Sequence, residues 1–207
     1  MNIFNMTKEI LADRIKQLIN VTQELLLYTI KLRELHDKYI STSHIKSNQY
    51  KTSEIARMIR FLHCSFYYDA LLNLNTLLKP VQNEYNKKEQ SIFELVDLET
   101  DHSVKDELLK KSTVFKKKLE DKNLHKWRHK FVGHKDIENA GDTEVMYLNF
   151  IKEDILQYSI ALINDINSFI IKEYDVQYNN TFASLYSKSF DKMVYLFEKE
   201  LMKQNIV

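Results

Sequence analysis

Arg128 and His134 are the two residues of this chain whose types and spacing could carry out a reaction. They stand in the segment Trp127-Arg128-His129-Lys130-Phe131-Val132-Gly133-His134. A guanidinium keeps its charge at any working pH and offers a fork of donors to a phosphate. An imidazole, with an ordinary pKa of about 6.5, takes or gives a proton near neutrality. Side by side, the pair can stabilise the charge of a phosphoryl transition state and move its proton. That suffices for metal-free RNA cleavage, in which the ribose 2′-hydroxyl attacks the neighbouring phosphate and leaves a cyclic phosphate. Acid and base steps of this type contribute roughly 10² to 10⁴ in rate.

The spacing decides whether the two side chains can meet. Six residues of unbroken helix would hold them about 120° and about 9 Å apart. Gly133 removes that constraint, because it is one of only two glycines in the chain and follows Phe131 and Val132 as a helix-ending cap would. His134 can then fold back toward Arg128, or both can project toward a second copy of the chain. On a short helix from Asn123 to Val132, with Leu124 at 0°, Phe131 falls at about −20°, Trp127 at about −60° and Arg128 at about +40°. Arg128 therefore faces the apolar side, where it must be paired or line a cavity open to an anion. A carboxylate such as Asp69, or a stack on Trp127, would satisfy it without any reaction. His125, Lys126, His129 and Lys130 point elsewhere, toward solvent or a partner.

The segment from Trp127 to Asp136 resembles the signature of the HEPN superfamily: Arg, a polar residue, a few further residues, then His. It is most similar to the version in U-type abortive-infection proteins, roughly Leu-Arg-Asn-Lys-x-x-Ala-His-x-Asp. His129 takes the polar position, Lys130 matches the lysine, Gly133 replaces the Ala and Asp136 matches the trailing acid. Asp69-Ala70-Leu71-Leu72-Asn73-Leu74 also looks like an Asp-containing helix of that group. The close match covers about ten residues, within a helical order that agrees over about 150. The resemblance implies an all-α, up-and-down helical bundle that dimerises, with two Arg/His motifs meeting in one composite RNA-cleaving site. It further implies a toxin or antiviral effector, with an antitoxin or other defence protein as a possible partner. On that analogy Arg128 contacts the scissile phosphate and His134 is the acid or base. His129, Lys130 and Lys135 bind RNA, and Asp69, Asn73 and Asp136 support the site. No cofactor is implied. The alternative is a catalytically inactive helical module that binds RNA or a protein in such a system.

The elements that must position this segment are helical. The chain has 2 Gly and 1 Pro in 207 residues, against roughly fourteen and ten in an average chain of that length, which disfavours turn-rich folds. Leu11, Ile15, Leu18, Thr22, Leu25, Leu32 and Tyr39 form the stripe of a helix over about 7–39. A second helix begins near Thr52 or Ser53, carries Ile55, Ile59, Leu62, Phe66, Ala70 and Leu77 on one face, and ends before Pro80. Asp69 and Asn73 fall within about 40° of that stripe, so both should be at least partly buried. Ser91 and Glu94 have capping-box spacing for a short helix to about Leu98. Asp101 or Ser103 caps the next, with Leu108, Ser112, Phe115 and Leu119 inward and a break at Asp121-Lys122-Asn123. A long helix follows Asp142 or Thr143, with Leu148, Ile151, Ile155, Tyr158, Leu162, Ile166 and Phe169 on its stripe. A last one follows Asn179-Asn180-Thr181 and carries Tyr186, Phe190, Met193 and Phe197. These elements make a single domain over 1–207, with a core over about 7–175 and a C-terminal helical extension over about 181–204.

Other readings are excluded or weakened by composition. No apolar stretch approaches the roughly 20 residues of a membrane span, and the N-terminus lacks a signal-peptide pattern, so no membrane association and a cytoplasmic location are expected. The lone Cys64 lies in an apolar run and reads as a small buried thiol. His125 and His129 have the i, i+4 spacing of two metal ligands, but no nearby Cys completes the set, and no metal is expected. Residues 105–135 carry ten lysines and Arg128 against Asp106, Glu107, Glu120 and Asp121, in a chain whose net charge is +1. A basic stretch of this kind admits nucleic acid as a partner, although Lys116-Lys117-Lys118 also fits a solvated helix face.

Overall fold

The computed structural model describes residues 7–38, 54–79, 91–121, 153–174 and 181–204. Among them are six helices and no strand: α1 (Lys8–His36), α2 (Glu54–Leu77), α3 (Ile92–Leu98), α4 (His102–Asp121), α5 (Glu153–Tyr174) and α6 (Thr181–Gln204). The chain is all-α over these residues, as its composition implies. None of the described helices is long and apolar enough to cross a membrane.

Local chemistry sets the helix starts. Thr7 caps α1, its Oγ1 accepting from the Ile10 N–H at 3.4 Å. Ser91 caps α3 through an N–H···O bond from Glu94 at 3.2 Å, the relation its spacing with Glu94 predicts. Asp101, rather than Ser103, caps α4, accepting from the N–H groups of Ser103 and Val104. Each cap occupies helix donors that would otherwise face solvent unbonded.

Helix α1 is the centre of the assembly, packing against α2, α3, α5 and α6. Its buried line is Leu11, Ile15, Ile19, Thr22, Leu26, Thr29, Leu32 and Leu35, and Leu18 and Leu25 are half-buried beside it. A helix covered on several sides buries more than one stripe, so the predicted line through Leu18 and Leu25 was one edge of a wider face. Thr22 and Thr29 tolerate this burial because each hydroxyl donates to the carbonyl four residues back, at 2.7 Å. Helix α4 has a narrower apolar face, and the four inward residues expected of it, Leu108, Ser112, Phe115 and Leu119, are the ones buried.

Among the described residues two apolar cores result. The larger joins α1 through α5. The smaller holds α6 onto the C-terminal half of α1 and the N-terminal half of α2 through Leu32, Leu35, Ile59, Phe190, Phe197 and Leu201. Tyr28 stacks on Phe190 at 4.0 Å between centroids, and Phe66 meets both rings edge-on at 5.8 Å. Lys31–Asp191 at 2.6 Å and Lys38–Glu198 at 2.8 Å keep one residue offset, so α6 runs parallel to α1. Lys111–Asp165 and the contact of the Tyr158 hydroxyl with the Lys118 carbonyl set α4 antiparallel to α5.

Candidate phosphate-binding site

The sequence places its chemistry at Trp127, Arg128, His129, Lys130, Gly133, His134, Lys135 and Asp136, all of which lie outside the described residues. The same holds for His125, for the expected break at Asp121-Lys122-Asn123 beyond Asp121, and for the first part of the helix expected from Asp142. What can be placed are the two ends of the connection that carries the motif. Helix α5 meets α1 at Gln23–Asn164 (2.6 Å), and its far end, Tyr174, stands by Glu99, which binds Lys8 at the start of α1. Helix α5 is thus antiparallel to α1, and its first residue, Glu153, lies toward the end of the bundle where α1 finishes and α2 begins. Asp121, at the close of α4, is at that same end.

Of the supporting residues, Asn73 is half-buried as expected, whereas Asp69 is exposed. The expected burial of Asp69 is corrected for a physical reason. The face of α2 that packs against α1 runs through Ala56, Ile59, His63, Tyr67, Ala70, Leu74 and Leu77, turned about 55° from the predicted stripe. Ile55, Leu62 and Phe66 belong to a second flank, covered by α6. Averaging the two flanks into one stripe displaced its centre toward Asp69.

That end of the bundle gathers cationic and imidazole groups which sequence reasoning did not single out. Arg33 and His36 close α1; Arg57, Arg60 and His63 open α2. His63 is buried, and because a carbonyl oxygen can only accept, its Nδ1–H donates to the Thr29 carbonyl at 2.9 Å. Burial lowers its pKa to about 4, with Arg33 and His36 adding to the effect against the Thr29 bond, so it is neutral at pH 7. His36 is also lowered, first by burial and then by Arg60 and Arg33, against the opposing pull of Asp37. Asp37 is shared between His36 Nδ1 at 3.1 Å and Arg33 Nε at 3.5 Å. Arg60 donates its Nε to the Ala56 carbonyl at 3.2 Å, and burial, then the neighbouring Arg57, disfavour its charge. The available signal in the sequence was Arg57-x-x-Arg60, which puts two guanidinium groups on one helix face.

Other reactive types are accounted for. Cys64 is buried, and that burial pushes its thiol up to about 11, so it is no thiolate nucleophile at neutral pH. Among the described residues no group of three His, Cys, Asp or Glu is arranged to hold a metal ion. The lysines of α4 form a largely solvated face, on which Lys111 pairs with Asp165 at 3.2 Å and lies over Phe169 while Lys116 lies over Phe93. Comparison with known proteins finds no matching family model, no matching curated protein and no matching solved structure.

Proposed function

We propose that the chain is a HEPN-type, metal-independent endoribonuclease that acts as a toxin or antiviral effector in the cytoplasm. The observation that carries this reading is the motif itself, Arg128-His129-Lys130 followed by Gly133-His134-Lys135-Asp136, in an all-helical chain. In this reading the chain is one domain, an up-and-down bundle with α6 as its C-terminal addition. The opposed directions of α1 and α5, and of α4 and α5, are in keeping with such a bundle.

The reaction is a transesterification. The ribose 2′-oxygen bonds to phosphorus, the bond from phosphorus to the 5′-oxygen breaks, and a 2′,3′-cyclic phosphate and a 5′-hydroxyl result. His134 removes the 2′-hydroxyl proton or supplies one to the leaving oxygen, and the second copy's motif provides the complementary transfer. Arg128 holds the non-bridging phosphate oxygens as charge grows on them. His129, Lys130 and Lys135 bind flanking phosphates. Asp136, Asp69 and Asn73 orient these groups, and exposed Asp69 does so from the surface of α2 rather than from its packed face. An antitoxin or other defence protein would hold the activity in check.

Expression of the wild-type chain beside Arg128→Ala and His134→Ala tests this. Growth arrest and fragmentation of total RNA with the wild type alone support the reading. Equal behaviour of all three folded proteins overturns the catalytic role and leaves an RNA-binding or protein-binding module.

A further inference from the structure

Helix α6 sorts its charges between two sides. With the packed residue Phe190 at 0°, Phe197 and Leu201 fall within about 20° of it, Asp191 and Glu198 at about 100° and about 80°, and Lys188, Lys192 and Lys199 at about 160°, 200° and 180°. The two acids are taken up by α1, as Lys31–Asp191 and Lys38–Glu198. The third acid of α6, Glu200, holds Lys203 at 2.9 Å. Lys188, Lys192 and Lys199 are exposed, and among the described residues no carboxylate is bonded to any of them. They stand opposite the packed face, so the body of α6 separates them from Glu34 on α1 and from Glu54 and Asp69 on α2. The row is about 16 Å long, in steps of about 6 Å and about 10 Å along the helix.

Tyr195 stands within this row, between Lys192 and Lys199 on the same face. It is 60% exposed, and among the described residues its ring stacks on no other and its hydroxyl makes no hydrogen bond. Leu196 and Met202 are exposed as well, but at about 240° and about 120° they fall on opposite sides of the lysines. Charge therefore divides the apolar surface. A divided surface offers no continuous stripe to insert into lipid and no run of anchors for a partner helix. A polyanionic strand needs neither, because lysines take its phosphates one at a time and a single ring stacks one base.

We propose that the outer face of α6 binds single-stranded RNA, with Lys188, Lys192 and Lys199 on the phosphate backbone and Tyr195 stacked on a base. The strand is single because the ring needs an unpaired base face. The inference rests on the reading of the chain as an RNA-directed protein and gives the C-terminal helix a part in holding the strand, apart from the Arg128/His134 motif. Because α6 runs parallel to α1, Lys199 lies toward the end of the bundle where Asp121 closes α4 and Glu153 opens α5. The motif falls between those two residues in the sequence, so a strand passing Lys199 heads toward the end from which the motif's connection departs.

The test uses the full chain carrying His134→Ala, so that RNA survives the measurement, and a fluorescein-labelled single strand of about twenty nucleotides. Anisotropy titrations over a range of salt compare this protein with versions that add Lys188→Gln/Lys192→Gln/Lys199→Gln, the same three lysines changed to Arg, Tyr195→Ala, or Tyr195→Phe. All four positions are exposed and outside both cores, so each version should fold, which circular dichroism checks. The glutamine triple should weaken binding about tenfold or more and lower the slope of log affinity against log salt by about 2, three phosphate contacts at about 0.7 each. The arginine triple should keep both. Tyr195→Ala should cost about fivefold or more with the slope unchanged, and Tyr195→Phe, which keeps the ring, should retain the affinity. Unchanged affinity in the glutamine triple, or in Tyr195→Ala, would overturn the proposal while leaving RNA binding elsewhere on the chain intact. Preference of the same face for phosphatidylserine vesicles over RNA would overturn it too. Absence of any RNA binding by the His134→Ala protein would remove the functional reading along with it.

Discussion

Glu99 predicts a measurable acid-dependent loss of stability. Its side chain is 2% exposed, and one carboxylate oxygen accepts from Lys8 Nζ at 3.0 Å and from the Thr100 and Asp101 N–H groups at 2.8 and 2.9 Å. The Tyr174 hydroxyl faces the same carboxylate without closing a well-formed hydrogen bond. Burial, the largest single influence, works to raise the pKa, but the Asp101 N–H, Lys8, Tyr174 and Thr100 together lower it from 4.5 to about 2. A carboxyl depressed on folding contributes stability that is complete above its unfolded pKa and lost as pH falls through the folded one. The full shift corresponds to an upper value of about 3 kcal/mol, of which about 1 kcal/mol is gone by pH of about 3.5. Glu99→Gln should therefore cost about 2–3 kcal/mol at neutral pH, and that deficit should shrink by about 1 kcal/mol at pH of about 3.5. Urea unfolding of both proteins at the two pH values measures this directly, because every other titrating group cancels in the difference. A Glu99→Gln protein as stable as wild type at pH 7, or a deficit that does not change with acid, would refute the reasoning.

His63 titrates in a separate window. Its folded pKa of about 4 lies below the ordinary 6.5, so its contribution is complete above about 6.5 and falls by up to about 3 kcal/mol as pH drops to about 4; His63→Gln should flatten that part of the stability profile, seen by denaturant titration from pH 7 to 4. Phe190→Ala, which empties the stack on Tyr28, should destabilise the α6 interface by about 3–5 kcal/mol. Hydrogen exchange should then quicken first in α6, and exchange that quickens equally in α4 would show that the smaller core is not a separate unit.

What the sequence revealed divides along the range of the forces involved. The Ser91 cap and the inner face of α4 were legible because each depends on residues within a few positions, or on a single apolar face. The packed face of α2 was not, since two flanks covered by different helices both look apolar in one dimension, and their average misplaced Asp69. Glu99 could not be anticipated, because its partner Lys8 is 91 residues away in the chain. The cationic corner is likewise a product of tertiary pairing: Arg33 and Arg60 come together only when the end of α1 lies beside the start of α2. The expectation placed on the Arg128 to His134 motif rests on residue types, a helix phase and one glycine, and the motif lies outside the described residues. Its composite arrangement in a dimer came from the resemblance alone.

The most direct measurement of the central claim is the identity of the ends left on RNA. Purified wild-type chain, Arg128→Ala and His134→Ala are each incubated with a defined single-stranded RNA in excess EDTA, and the fragments are read by mass spectrometry. The account predicts 2′,3′-cyclic phosphate and 5′-hydroxyl ends from the wild type, with activity reduced by about 10² or more in either variant. Intact RNA with all three proteins, or cleavage that EDTA abolishes, would contradict it.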